Sequence, residues 1–238
     1  MRLLITNIGI LAGLDKEQKL RLCGSEMKQF STIENAWLLI EDSRFKDWGK
    51  MSEMPSEGIP SDKTIDAGGG AVLPSWCDPH THIVFAGSRE GEFVDKICGL
   101  SYAEIAKRGG GILNSADLLH TLSEDELYSS AMRRVDEIIR KGTGCVEIKS
   151  GYGLNTEDEL KMLRVIRRIK ETTPLKVKST FLGAHAVGRG YSQPDYVDLV
   201  VNEMIPEVGK EHLADYVDVF CDEGFFTPEE TARILEAA

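Results

Sequence analysis

The sequence of 238 residues lacks any long hydrophobic run. Its N-terminal segment, MRLLITNIGILAGL, contains one Arg and an apolar stretch that is too short to span a bilayer. The segment also lacks the small-residue cleavage site of a secretory signal peptide. It therefore predicts a β-strand rather than a membrane anchor or a signal.

Cysteines are few, and basic residues are outnumbered by acidic ones. The five cysteines are scattered without a C-x-x-C pair, which favours a reduced, cytoplasmic compartment over a disulfide framework. The 28 Lys and Arg residues stand against 39 Asp and Glu residues, giving a formal net charge of -11. This acidic balance argues against nucleic-acid and anionic-membrane partners, which need basic patches. A small anionic substrate is still compatible with the composition, because one local Arg can hold it.

Two regions of the sequence differ in pattern. Residues 1–70 contain short β-rich segments such as LLITNIGI and NAWLLIED, separated by polar loops, and they predict a small β-sandwich-like domain. From residue 71 onward, strands alternate with amphipathic helices, which predicts parallel β/α units. Three helix starts carry a predicted capping box: Ser123 with Glu126, Thr156 with Glu159, and Thr227 with Glu230.

The β/α units of residues 71–238 predict the α/β fold class and a (β/α)8 TIM-like barrel that is present only in part. A closed barrel needs eight units and about 250 residues, which is more than this region provides. The last helix also ends at EAA without a C-cap. We therefore expect the sequence to be the N-terminal part of a longer protein, with a smaller, complete open α/β sheet as the alternative.

The segment LPSWCDPHTHIVFAGSRE places two histidines one residue apart behind an apolar run. Side chains two residues apart in a strand point the same way, so Asp78, His80 and His82 are predicted to share one face. The carboxyl end of such a strand is where β/α barrels carry their active sites. Two imidazoles there can ligate one divalent metal ion. An isolated H-x-H pair can also be accidental, but the strand and the β/α units that follow favour a metal site.

Three further residues follow predicted strands. His185, in TFLGAHA, is a candidate third metal ligand or substrate contact, with a packed loop histidine as the alternative. Arg89, in VFAGSRE, can hold a substrate carboxylate through two hydrogen bonds or form a surface ion pair. Tyr152, in SGYG, can direct its hydroxyl toward the pocket or pack within its loop. His120 and His212 are predicted to be surface residues.

These residues lie in longer strings that carry a resemblance. LPSWCDPHTH resembles the first-strand metal motif of the metal-dependent amidohydrolase superfamily. Together with GGGI, EIKSGYGL, TFLGAHA and VDVFCDEGFF it resembles the imidazolonepropionase family, an amidohydrolase-type barrel family of histidine degradation. The similarity runs from about residue 66 to residue 238 and is looser in the N-terminal strands.

The resemblance implies roles for individual residues. It makes His80 and His82 ligands of a single zinc or iron ion, and Arg89, Tyr152 and His185 contacts of the substrate. Tyr102 is implied near the same pocket. The implied reaction is hydrolysis of the cyclic amide of 4-imidazolone-5-propanoate to N-formimidoyl-L-glutamate.

The resemblance also implies what this sequence does not contain. The remaining metal ligands and the catalytic acid and base groups of the family come from strands that would follow Ala238, so no catalytic residue is expected in this chain. Residues 1–70 would be completed by C-terminal strands. Similar enzymes are commonly homodimers.

Two other functions remain open from the sequence. The chain could belong to another amidohydrolase, such as a nucleobase deaminase, and Arg89 discriminates because a nucleobase has no anionic tail. Alternatively, the chain as it stands is a catalytically inactive fragment. In that case we expect no hydrolase activity from the 238-residue chain expressed alone.

Overall fold

The structure is a computed structural model that describes residues 1–14, 19, 21–28, 30–101, 104 and 111–238. The chain separates into two units, Met1–Pro74 and Ser75–Ala238. Within the described residues, no helix is both long enough and apolar enough to cross a membrane. The five cysteines, all of which are described, are free thiols.

The first unit is a five-stranded mixed sheet. Its strands are β1 (Arg2–Ala12), β2 (Thr32–Glu41), β3 (Arg44–Lys50), β4 (Lys63–Asp66) and β5 (Ala71–Val72), with 3-10 turns at Gly24–Lys28 and Met51–Glu53. The order is β3-β2-β1-β4, with β5 also paired to β1. The first three strands pair antiparallel, whereas β4 and β5 run parallel to β1. The strands predicted from LLITNIGI and NAWLLIED are confirmed as β1 and β2.

The second unit is α/β, as predicted. Its strands are β6 (Trp76–Thr81), β7 (Thr143–Lys149), β8 (Lys176–Ala184) and β9 (Tyr216–Val219). Its helices are α1 (Glu90–Ile97), α2 (Ile112–His120), α3 (Glu124–Arg140), α4 (Thr156–Thr172), α5 (Gln193–Leu199), α6 (Ile205–Lys210) and α7 (Pro228–Ala237), with a π-helical stretch at Val200–Met204 between α5 and α6. The four strands are all parallel and lie in the order β6-β7-β8-β9. Strands that follow one another in sequence are therefore neighbours in the sheet.

The helices cover one face of this parallel sheet. Along β7, Val146 and Ile148 are fully buried against them. Helix α4 buries Leu163, Ile166 and Ile169, whose three-residue spacing keeps them on one side of the helix. Full burial of one such side chain contributes about 1.5–3 kcal/mol, so this face provides much of the stability of the unit.

The opposite face of the sheet is polar. Lys149 is only 5% exposed, and its Nζ lies 2.7 Å from Glu147 Oε1 and 2.9 Å from Asp218 Oδ2. Thr180 donates a hydrogen bond from its hydroxyl to Glu147. Burial alone would lower the pKa of Lys149, but the two carboxylates raise it above its ordinary value. Lys149 is therefore a charged group on the sheet face that lies next to the site histidines.

Two of the three predicted capping boxes are present at the starts of their helices. Ser123 and Glu126 form the box of α3, and Thr227 and Glu230 form that of α7. The third prediction was wrong. Asn155, not Thr156, is the N-cap of α4, and its side-chain oxygen accepts from the backbone N–H of Asp158.

Candidate active site

Strand β6 ends at the H-x-H motif, but the side chain of Asp78 lies on the opposite face of the strand from His82. The register between β6 and β7 shifts between Asp78 and Thr81, where Pro79 offers no backbone N–H to the ladder. Asp78 pairs with Val146, whose side chain is on the helix-covered face. The expectation that Asp78 shares a face with His82 was therefore wrong, because a bulge interrupts the alternation.

Four aromatic rings from three neighbouring strand ends come together. The ring centroids of His80 and His82 are 5.7 Å apart. The His82 ring lies 5.1 Å from that of Tyr152 and is stacked on that of His185, also at 5.1 Å. Tyr152 and His185 are 5.4 Å apart. The structure thus brings together four of the five predicted site residues, which lie at or after the carboxyl ends of β6, β7 and β8.

The environment of His82 keeps its imidazole neutral. Burial, followed by the nearby His185 and His80 rings, lowers the pKa of His82 to about 4. Its Nδ1 is buried and has no hydrogen-bond partner within the described part of the chain. A neutral imidazole with an unused buried nitrogen is suited to ligate a metal ion.

His185 is oriented by the backbone of the neighbouring strand exit. Its Nδ1 lies 3.0 Å from the carbonyl oxygen of Gly151. A carbonyl oxygen only accepts, so Nδ1 carries the proton and Nε2 of the neutral ring is left as an acceptor. Burial lowers the pKa of His185, although this hydrogen bond and the Asp218 carboxylate oppose the shift.

Tyr152 lies in the loop of residues 150–155, which we call the β7 loop. Burial raises the pKa of its phenol above the ordinary value, and the charge of Arg89 opposes that shift. The hydroxyl therefore stays protonated at neutral pH and can donate a hydrogen bond. His120, predicted as a surface residue, has a 38% exposed side chain, yet its Nε2 lies 2.7 Å from the carbonyl oxygen of Gly153 in this loop.

Arg89 ends the loop of residues 82–89, which we call the β6 loop, at the N-cap position of α1. Its guanidinium is ion-paired with Glu92, with Nε and Nη2 at 2.8 and 2.7 Å from Oε2. Glu92 also accepts from the backbone N–H of Gly111 at 2.9 Å. The ion pair that the sequence left open as an alternative is thus present, and the rest of the Arg89 fork can still receive an anion.

Sequence reasoning missed two contacts of this cluster. Phe220, just after β9, meets the His185 ring edge-on at 5.8 Å, although only its place at a strand exit pointed to it. The Asp218 carboxylate, on β9, lies close enough to act on the pKa of His185. Tyr102 lies outside the described residues.

The histidine pair fits part of a metal site. Zinc binds an imidazole nitrogen at about 2.0–2.1 Å, so two imidazoles that share one ion must lie with their rings close together. The 5.7 Å between His80 and His82 agrees with this geometry. Within residues 1–14, 19, 21–28, 30–101, 104 and 111–238, no group of three or more His, Cys, Asp or Glu side chains could hold a metal ion. Among the described residues, His80 and His82 are thus the two candidate ligands of such a centre.

Solved structures share this architecture at low sequence identity. A triazine hydrolase from Arthrobacter aurescens matches with a TM-score of 0.61 and 15% identity, covering 98% of this chain and 50% of that one. Escherichia coli guanine deaminase matches at 0.59 and 11%, covering 98% and 49%. An atrazine chlorohydrolase from A. aurescens complexed with zinc matches at 0.55 and 15%, covering 98% and 50%. At these identities the likeness shows the fold alone.

No protein-family profile matches the chain, but curated sequences do. The chain is 55% identical over 240 residues to an imidazolonepropionase from Christiangramia forsetii, covering 100% of this chain and 58% of the relative. The identity is 51% over 239 residues to that of Flavobacterium psychrophilum, covering 100% and 58%. It is 40% over 218 residues to that of Thermoanaerobacter pseudethanolicus, covering 91% and 52%. The resemblance is thereby confirmed: the chain is a homologue of the imidazolonepropionases and spans a little more than half the length of these relatives.

Proposed function

We propose that this chain forms part of a metal-dependent enzyme that hydrolyses the cyclic amide of 4-imidazolone-5-propanoate to N-formimidoyl-L-glutamate. The observation that carries the proposal is the convergence of His80, His82, Tyr152 and His185 at 5.1–5.7 Å ring separations. The 55% identity to a relative named imidazolonepropionase supports the assignment. The relative's activity concerns the longer protein, of which this chain matches 58%.

We assign His80 and His82 as ligands of one zinc or iron ion, together with further ligands that are not among the described residues. A bound divalent metal lowers the pKa of a coordinated water and so supplies hydroxide near neutral pH. The low pKa of His82, about 4, leaves its nitrogen free of a competing proton throughout the physiological range.

The other three residues bind and orient the substrate in this proposal. Arg89 pairs with the propionate carboxylate, which needs one cation in an otherwise acidic protein. The Tyr152 hydroxyl donates to a polar atom of the imidazolone ring, and Nε2 of His185 accepts from a ring N–H. Holding the ring in register in this way lowers the entropic part of the barrier.

We also infer the wider architecture from the order of the strands. Neighbours in sequence are neighbours in the parallel sheet, as in a (β/α)8 barrel, and the site residues lie at or after the carboxyl ends of strands. In this interpretation residues 71–238 are the first part of the barrel and residues 1–70 a small, incomplete β-domain. The first unit of the structure ends at Pro74, close to the proposed boundary.

A chimera tests the function of this chain directly. In it, the chain replaces the matched 240 residues of the C. forsetii relative. We expect the zinc- or iron-loaded chimera to form N-formimidoyl-glutamate from imidazolone propanoate, as detected by mass spectrometry, and to leave guanine and cytosine unchanged. Turnover of a nucleobase but not of imidazolone propanoate, by a folded and metal-loaded chimera, would favour a deaminase instead.

Arg89→Met and the isolated chain complete the test. Loss of the guanidinium is expected to raise KM for imidazolone propanoate at least tenfold, because the anionic tail loses its partner. Glu90→Gln, an exposed change on the neighbouring residue, is the control. The 238-residue chain alone, with two metal ligands among its described residues, is expected to be inactive.

A further inference from the structure

Glu159 is a buried carboxylate that α4 does not use as a cap. It is 0% exposed, whereas most Glu side chains remain at the surface unless they are paired. The capping role predicted for it belongs to Asn155 and Asp158. The side chain instead turns beneath the β7 loop.

Three backbone N–H groups and one hydroxyl tie the β7 loop to this one carboxylate. Gly151 donates its backbone N–H to Oε2 at 3.0 Å. Gly153 and Leu154 donate theirs to Oε1 at 2.6 and 3.1 Å. The Ser150 hydroxyl donates as well. In each contact the loop group donates and the carboxylate accepts, which matches the acceptor-only character of an ionised carboxylate.

The backbone of the loop needs such an acceptor. Gly151 has a φ of +109°, and Leu154 has a φ of +53°, which is uncommon for a residue with a side chain. This path turns the N–H groups inward, where water does not reach the fully buried oxygen atoms. Each buried N–H left without an acceptor is costly, so the carboxylate determines which loop conformation is stable.

Tyr152 stands between the two anchored glycines. Both residues that flank it donate to Glu159, so its backbone position is fixed on each side. The carbonyl of Gly151 meanwhile binds Nδ1 of His185. One buried carboxylate therefore underlies the placement of two of the rings in the site.

We propose that Glu159 is a positioning residue that holds the β7 loop, and through it Tyr152, in the geometry that binds substrate. The substrate contact of Tyr152 rests on the proposed function. The hold of the carboxylate on the loop does not.

Glu159→Gln tests the proposal with little change in shape. Whichever way the amide turns, an NH2 group replaces one carboxylate oxygen and cannot accept from the loop. We expect the amide of Gly151, Gly153 or Leu154 in the 238-residue chain to exchange with deuterium at least tenfold faster, as measured by NMR. Glu157→Gln, the same charge change at an exposed position on the same helix, should leave all three amides unchanged.

A double-mutant cycle in the chimera tests the link to Tyr152. Glu159→Gln is expected to lower kcat/KM at least tenfold, mostly through KM, as is Tyr152→Phe. If Glu159 acts through Tyr152, adding Glu159→Gln to Tyr152→Phe should change kcat/KM by less than twofold further. Additive losses, or unchanged amide exchange, would overturn the proposal.

The two readouts separate this proposal from the assigned reaction. If the wild-type chimera does not turn over imidazolone propanoate, the proposed function fails, while exchange in the chain still decides whether Glu159 holds the loop. If Glu159→Gln also prevents folding, Glu159→Asp keeps the charge but shortens the reach. It should then fold and show faster exchange in the same amides, and wild-type exchange rates in Glu159→Asp would contradict the proposal.

Discussion

The β6 loop and the β7 loop follow neighbouring strands and both carry site residues, yet they are held by opposite charges. Arg134 of α3 holds the β6 loop by donating to the carbonyl oxygens of Ile83 at 3.1 Å and Phe85 at 3.0 Å. Its guanidinium also stacks on the Phe85 ring at 3.7 Å. Glu159 of α4 holds the β7 loop by accepting from N–H groups. A helix thus anchors each loop with the charge that complements the backbone groups turned toward it.

The difference between the two anchors is their access to water. The side chain of Arg134 is only partly buried, and burial lowers its pKa without neutralising it. Glu159 is 0% exposed. If the Arg134 anchor is lost, water can replace it on two carbonyl groups, whereas the N–H groups around Glu159 have no such replacement. The contacts of Glu159 with the β7 loop should therefore stabilise the chain more than those of Arg134 with the β6 loop. Tyr152 should accordingly be held more rigidly than Arg89.

Glu159→Ala should have the largest effect on stability. It leaves three buried N–H groups without an acceptor, at about 1–3 kcal/mol each, offset in part by removal of the buried charge. We expect a loss of about 3 kcal/mol in the free energy of unfolding of the chain, measured by urea denaturation. Glu157→Ala serves as the exposed control and should change it by about 0.5 kcal/mol or less. A loss equal to that of the control would mean that the carboxylate does not hold the loop.

Replacing a glycine by alanine in each loop compares how well the β7 loop and the β6 loop accommodate an added methyl group. A methyl group on Gly153 would lie 2.3 Å from the backbone nitrogen of Glu159, which cannot move aside. On Gly87 of the β6 loop it would meet only the Leu118 side chain, at 2.4 Å, although φ is +64° there. We expect Gly153→Ala to cost about 2–3 kcal/mol and Gly87→Ala about 1 kcal/mol, measured by thermal unfolding. Equal costs would remove the distinction between a rigid loop and an adaptable one.

Local sequence patterns predicted much of the fold but not this anchor. The capping boxes at Ser123 and Thr227 were correct because both partners lie within one turn of the same helix. The same spacing at Thr156 and Glu159 was misleading. Asn155 is the stronger cap in the position before, and Glu159 is bound by a loop whose N–H groups no helix pattern records.

In the site, too, features set by neighbouring residues were predictable from the sequence, whereas features set by tertiary contacts were not. The spacing of His80 and His82 and their place after a strand were readable from the sequence, as was the strand-end position of His185. The face of Asp78 was not, because Pro79 disrupts the alternation within an edge strand. Contacts such as that of Phe220 with His185 depend on how separate strand ends meet, which the sequence pattern does not specify.

Arg134→Ala should destabilise the chain less than Glu159→Ala. The loss of two hydrogen bonds to the β6 loop and of the Phe85 contact is expected to cost about 2 kcal/mol by urea denaturation. Arg134→Lys keeps the charge but not the planar fork, so it should recover less than half of this loss. Arg133→Ala, exposed on the same helix, is the control. A larger loss from Arg134→Ala than from Glu159→Ala would reverse the ranking of the two anchors.

The smallest expected difference between the two anchors is in how the stability of the chain depends on pH. Burial raises the pKa of Glu159 above its usual 4.5, against the opposing hydrogen bonds, whereas Arg134 stays charged. Between the unfolded and folded pKa of Glu159, the folded chain binds more protons than the unfolded chain. Its stability therefore falls as pH rises through this window, by at most about 1.4 kcal/mol per pH unit.

Glu159→Gln lacks this titration, so its stability relative to wild type is expected to improve as pH rises from 4.5. Urea denaturation of both proteins between pH 4 and 7 measures the difference. The corresponding difference for Arg134→Lys should stay flat, because neither cation titrates in that range. If the Glu159→Gln difference is equally flat, the loop N–H groups offset the burial of the carboxylate completely, and the two anchors differ in the sign of their charge but not in their response to pH.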